Sequence, residues 1–327
     1  MSVLLSMEGA VAQGLLWGLM ALGVYLTFRI LNVADMTVDG SFACGGAVTA
    51  ALIASGMNPW LTFFFVFIAG LLAGLVTGLM NTKLKINILL ASILTQLALY
   101  SINLRIMGRP NVGIEKKNSI VSDILFVFKK VIPGNAVRQN FQILCFGVLV
   151  VALIIAVLYW FFGTEFGSAI RATGNNEHMV RALGVSTDTT KLAGLMISNG
   201  LVAMSGALVA QTQLYADVNM GAGTIVIGLA SIIIGEVFFG NHFGFWWVLM
   251  SAVAGSVLYR IVIAFVLQLG LKASDMKLLT AIVVAIALSV PVMKRRLIRL
   301  RNSLPGATLR DEENTRHVQL KKHDGEQ

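Results

Sequence analysis

FQILCFGVLVVALIIAVLYWFF fills residues 141–162, and GTEFGSAIRATGNNEHMVRALGVSTDTTK comes next at 163–191. The first string carries no charge and has the length of a helix that crosses a hydrocarbon core of about 30 Å. The second is polar and strongly punctuated. Glu165 to Ala172 reads as a short helix, stopped by Gly174 just beyond its C-cap. Asn175 or Asn176 caps a second short helix, with Glu177 in its first turn. Gly184 ends that helix after Leu183, and Thr187 and Asp188 cap the next apolar run. Two capped helices between membrane spans are not a slack linker. Their Ile170, Met179, Val180 and Leu183 need an apolar partner that the bilayer core cannot reach. That need suits a docking element for a cytosolic protein, or else a helical loop packed on its own membrane domain.

Outward from this loop the chain is apolar in both directions. Runs at 9–28, 38–56, 60–81, 86–106, 141–162, 190–213, 223–240, 245–266 and 278–293 are interrupted by short polar breaks. Hydrophobic residues make up 57% of the 327 and charged ones only 13%, about half the share of a soluble domain. The expected fold is all-α: a polytopic membrane bundle of about 8–10 transmembrane helices over 1–293, followed by a basic cytoplasmic tail, 294–327. The runs at 38–56 and 223–240 are short and glycine-rich, as broken helices would be. No signal peptide is evident, since Glu8 precedes the first run without a basic flank. Cys44 and Cys145 lie in apolar runs, and His178, His242, His317 and His323 show no ligand spacing, so neither a disulfide framework nor a metal site is expected.

Lysine and arginine in short flanks set the orientation. Arg29, Lys83, Lys85, Arg171, Arg181, Lys191 and the cluster Lys294, Arg295, Arg296, Arg299 and Arg301 fall inside together when the N-terminus is outside and the chain crosses nine times. Residues 107–140 then lie outside despite Lys116, Lys117, Lys129, Lys130 and Arg138. The net charge of +9 thus reads as topology and as contact with lipid phosphates, not as nucleic-acid binding. A weak internal repeat runs at an offset of about 186 residues: Asn58-Pro59-Trp60-Leu61 resembles 241–248, and Ala69-Gly70 resembles Ala254-Gly255. In the orientation above, the second copy is inverted, which places a pathway at the interface of the halves. Gly70, Gly74 and Gly78, with Gly14 and Gly18, are expected at close helix crossings.

Asp35 and Asp39 stand one turn apart at the mouth of the second run. A carboxylate in a membrane turns to water, partner or substrate. Asp35 suits a helix cap; Asp39 suits either a cap or a solute path. Asn199 and Gln211 are candidates for the same path, or for hydrogen bonds between helices. Glu236 is expected to snorkel, to pair with a base or to act at an inner gate, and Arg260 to face another helix or a cavity. There is no G-x-x-x-x-G-K-[ST] phosphate cradle, and Gly-Lys occurs nowhere. ATP-driven work therefore requires a partner chain.

Gly167, Arg171-Ala172, Gly174, Asn176, Arg181, Gly184-Val185 and Lys191 resemble the cytoplasmic loop of ATP-binding cassette importer permeases for branched-chain amino acids and ribose-type sugars. Asn199 to Ala203 and Ser205 to Leu208 resemble that family's next helix, and the glycines at 221, 223, 235, 240 and 244 its glycine-rich segment thereafter. The likeness covers most of 9–295. It implies a permease pairing with a second copy or a homologous permease, a cytosolic ATPase that carries ATP and magnesium, and an extracytoplasmic solute-binding protein. It implies no cofactor in this chain. Carried onto this sequence, the ATPase-coupling set is Gly167, Arg171, Ala172, Gly174, Asn175, Asn176, Met179, Arg181, Leu183 and Gly184, within a coupling loop at 163–189. Asn175 replaces a glycine common in sugar members, Met179-Val180 replace an alanine pair, and Glu236 takes a usual glycine position. The segment from Asn32 to Gly40 is closer to the amino-acid side of the family.

The expected protein is thus a permease subunit in a prokaryotic plasma (inner) membrane, not an enzyme. Its expected cargo is an aromatic or branched-chain amino acid ahead of a sugar or nucleoside. A stand-alone, ion-coupled secondary transporter is the alternative that an inverted repeat also allows.

Overall fold

Lipid offers no partner to a free peptide group, so each apolar run closes its backbone bonds within a helix. The computed structural model describes residues 2–115, 119–124, 139–240 and 244–268, with isolated positions as far as 289. Most of the last apolar run, the tail at 294–327, His242, 116–118 and 125–138 lie outside the described residues. Helix α1 (Ser2–Tyr25) continues into a π-helical turn, Leu26–Ile30. Then come α2 (Thr37–Ala54), α3 (Pro59–Thr82) and α4 (Ile88–Met107). After strand β1 (Asn111–Gly113) the chain forms α5 (Gln139–Gly163), the short helices α6 (Glu165–Asn175) and α7 (Glu177–Ala182), and the long α8 (Thr187–Gln213). Strand β2 (Tyr215–Asp217), α9 (Thr224–Phe239) and α10 (Phe245–Gln268) complete it. Seven of these helices are long and apolar enough to span a bilayer; α9 is apolar but shorter.

Polar caps fix where the spans begin. Asn58 and Asn87 each accept a backbone N–H two residues on, from Trp60 and Leu89, at 2.9 Å. On the side where α3 begins, β1 and β2 pair antiparallel, with Val112 opposite Ala216. That pairing puts the ends of α4 and α8 on one side, as the lysine and arginine flanks require.

The inverted halves are visible in how α1 meets α8. Ser198 Oγ donates to the carbonyl of Gly23 at 2.7 Å, and Ser205 Oγ to that of Leu16 at 2.8 Å. As one helix ascends the other descends, so the first helices of the two halves are antiparallel. The neighbouring crossings are mates under the same shift. Gly14 on α1 faces Ser256 and Val257 on α10, and Gly70 on α3 faces Asn199 and Gly200 on α8; moving by about 186 residues turns Gly14 into Gly200 and Gly70 into Ser256. A methyl on Gly74 would meet the Leu195 carbonyl at 2.4 Å. With no water to expel between lipid-embedded helices, such backbone approach holds the bundle together. Leu16, Leu19, Met20, Phe42, Val202 and Leu249 fill the centre around α1 and α8.

Candidate functional site

Both halves contain a break between helices, at 31–36 between α1 and α2 and at 214–223 between α8 and α9. Each is followed by a helix whose first turn is held by a carboxylate. Asp35 Oδ1 accepts the Thr37 N–H at 2.9 Å, and its Oδ2 accepts Asn199 Nδ2 at 2.8 Å. Ser41 Oγ donates to Asn199 Oδ1 at 2.7 Å. Asn199 lies near the midpoint of α8, which is about 40 Å long, so this knot of Asp35, Ser41 and Asn199 sits near mid-bilayer, fully enclosed. Asp39 reaches across to the second break. It accepts Gly223 N–H, Ile225 N–H and Thr224 Oγ1, each at 2.9 Å. Gly221 packs so tightly beside it that a Cβ would overlap the Asp39 carbonyl. Half-helix N-termini facing one another at the interface of inverted repeats are the usual place for a transported solute.

The three sequence-derived path residues do not meet. Asp39 borders a small cavity of about 140 Å³ shared with Gln96, Tyr100, Asn103 and Asn219. Asn199 and Gln211 are fully buried elsewhere; Gln211 accepts the Ile120 N–H at 3.1 Å and donates to Thr62 Oγ1 at 3.4 Å. Both are interhelical ties here. The α4 residues escaped the sequence reading, although Gln96, Tyr100 and Asn103 share one helical stripe. Asn103 donates to the Gly40 carbonyl at 3.3 Å, while its own Oδ1 is buried and unpartnered.

At the lysine- and arginine-rich side, α6 and α7 form the polar knuckle. Thr164 caps α6 through the Gly167 N–H, and Asn176 caps α7 through the Met179 N–H at 3.0 Å. Gly184 takes φ +83° after α7, where a side chain would be strained. One expectation needs correcting: α6 does not stop at Gly174 but runs on to Asn175. Gly174 is there for proximity, since a Cβ would sit 1.7 Å from the Ile30 carbonyl oxygen at the end of α1. Nor do Thr187 and Asp188 cap α8; Ser186 precedes it without a side-chain cap bond. Thr187 instead receives Arg181 at 2.7 Å and donates to Glu177 at 3.1 Å. Glu177 also takes Lys191 at 2.5 Å, and this bond, ahead of the charges of Lys191 and Arg181, holds its carboxyl below the usual glutamate range despite partial burial.

The apolar residues of the knuckle divide. Ile170 and Val180 are buried against the membrane domain, whereas Met179 on α7 and Leu183, one turn further at its C-cap, are exposed at 47% and 74%. Arg171 on α6 packs toward α10. Its guanidinium lies 4.7 Å from the Phe245 ring at the start of α10. Glu236 does not merely snorkel: it pairs with Arg29, tying the end of α9 to the π-helical turn after α1. Arg260 packs over the Trp17 ring at 3.9 Å.

Residues 6–290 match the family described as branched-chain amino acid transport system / permease component. A tyrosine transport system permease protein of Clostridioides difficile is 38% identical over 83% of this chain and 86% of its own. Protein RP368 of Rickettsia prowazekii is 33% identical over 86% and 95%. The probable branched-chain amino acid transport permease LivH of Methanocaldococcus jannaschii is 26% identical over 68% and 70%. The chain is a multi-pass protein of the plasma membrane and performs no chemistry of its own; such subunits act with a separate ATPase and a solute-binding protein. It belongs to the branched-chain amino acid transport system permease family, as the membrane-spanning subunit of an ATP-binding cassette importer.

Proposed function

We propose that α6 and α7, within the coupling loop 163–189, face the cytosol and dock there on an ATPase that binds ATP and magnesium. The observation that carries this is the pair Met179 and Leu183, which stand exposed on α7 and its C-cap while Ile170 and Val180 are spent on the membrane domain. A polar knuckle beyond the bilayer gains nothing from two exposed apolar side chains unless a protein covers them. Gly167, Ala172, Gly174, Asn175, Asn176 and Gly184 shape the knuckle, and Arg181 fastens it to α8 through Glu177 and Thr187. The solute path runs at the contact with a second copy or a homologous permease, along the face of α4 that leaves Leu97 and Tyr100 exposed, past Asp39. Asn199 and Gln211 hold the helices behind that path. An extracytoplasmic binding protein delivers the solute to the β1–β2 side, and 294–327 is a basic cytoplasmic tail.

The cargo we infer is an amino acid with an aromatic side chain, then a branched-chain one. The tyrosine permease of C. difficile supports this order by its 38% identity; sugars and nucleosides come behind. Docking is tested by capture of the partner ATPase on the purified permease. Burying a Leu or Met side chain contributes about 1.5–3 kcal/mol, so Met179→Asp and Leu183→Asp are each expected to weaken capture by about 10- to 100-fold. Capture equal to wild type in both variants would reject this surface.

A further inference from the structure

Beside the knuckle lies an open cavity of about 660 Å³, between the inner end of α5, α6 and the start of α10. Tyr159, Trp160, Thr164, Arg171, Phe245 and Trp246 line it. Arg171 is the single charged residue in that lining. Arg29, Lys85, Arg181 and Lys191 each reach a carboxylate. Arg171 reaches none among the described residues and is held only by its stack on Phe245. The indoles of Trp160 and Trp246 and the Tyr159 ring form the amphipathic girdle typical of a membrane–water boundary. Above them Leu149, Leu153, Val157 and Trp160 make one exposed stripe along α5. From 149 to 160 it spans about 16 Å, close to the thickness of one hydrocarbon leaflet, about 15 Å.

We propose that this cavity binds one anionic phospholipid of the cytoplasmic leaflet, its phosphate on Arg171 and an acyl chain along the α5 stripe. A zwitterionic headgroup would bring a second, positive charge to a lining that contains no carboxylate. A basic pocket between helices on the cytoplasmic side is a recognised form of headgroup site. The bound lipid would lie against Arg171 of α6 and Phe245 of α10, between the knuckle and the bundle, and so make the seating of α6 dependent on lipid charge. The leaflet assignment rests on the cytosolic placement proposed for α6.

The full-length permease, purified without its ATPase and reconstituted in phosphatidylcholine nanodiscs doped with phosphatidylglycerol, is the test, with retained lipid counted by native mass spectrometry. Wild type is expected to retain one phosphatidylglycerol per chain in preference to phosphatidylcholine. Arg171→Gln should lower that preference about fivefold, Arg171→Lys should keep most of it, and Trp160→Ala should weaken retention of both lipids. Equal retention of the two lipids by wild type, or an unchanged preference in Arg171→Gln, would overturn the proposal. So would binding of inorganic phosphate alone to lipid-stripped protein, lost in Arg171→Gln, with no retained phosphatidylglycerol: the site would then be one for a free anion. If Arg171→Gln lowers ATPase capture and leaves lipid preference intact, the cavity belongs to the protein partner. The lipid readout contains no ATPase, so its failure leaves the docking of α7 standing, and the reverse holds too.

Discussion

Gly174→Ala, one added methyl group, is expected to reduce ATP-driven uptake by about 10- to 100-fold in proteoliposomes containing the partner ATPase and binding protein. The new Cβ would sit 1.7 Å from the Ile30 oxygen, 2.7 Å from the Ile30 carbonyl carbon and 2.8 Å from the Leu31 Cα. All three are backbone atoms, so no side chain can swing aside. Either α6 backs away from the end of α1 or the π-helical turn at Leu26–Ile30 is displaced. That turn feeds the break at 31–36, whose Asp35 is tied to Asn199 near mid-bilayer. The contact of Gly174 with Ile30 therefore joins the knuckle directly to the segment that leads into the first break. Ser168→Ala, on the same helix but exposed and giving up only a bond to the Glu165 carbonyl, should transport as wild type. Wild-type uptake by Gly174→Ala would show that the motion takes another route.

Asp39→Ala is expected to destabilise the permease by about 1–3 kcal/mol, because two backbone N–H groups at the start of α9 lose a charged acceptor at a half-buried site. The melting midpoint in detergent should fall on the order of 5–10 °C, and uptake should fall with it as α9 loses its anchor on α2. Asp39→Asn keeps one carbonyl acceptor for the Gly223 or Ile225 N–H and should lose less than half as much. The helix dipole explains part of the difference, since the carboxylate sits at the positive end of α9. An alanine variant with the wild-type midpoint would mean that Asp39 does not hold the two halves together.

Much of this architecture is legible in the sequence. The apolar runs located the spans, and the shift of about 186 residues exposed the inverted halves. Asn176 and Gly184 announced their caps because a cap is a local arrangement, written within four residues. What failed was non-local. Gly174 reads identically whether it ends a helix or admits a neighbouring backbone, and its neighbour, Ile30, lies far away in sequence. Glu236 found Arg29 for the same reason. Gln96, Tyr100 and Asn103 are ordinary residues of an apolar helix until α2 and the loop before α9 close a cavity over them. Ile170 and Met179 look equally apolar in sequence. Only the fold shows that the first is used internally and the second left exposed.

Sidedness of Leu183 is the most direct test. In a variant lacking Cys44 and Cys145 and carrying Leu183→Cys, a membrane-impermeant maleimide should label inverted membrane vesicles and leave intact spheroplasts unlabelled, and added ATPase should protect the site. Labelling in intact spheroplasts would put the knuckle on the outer face, and no cytosolic motor could then grip it.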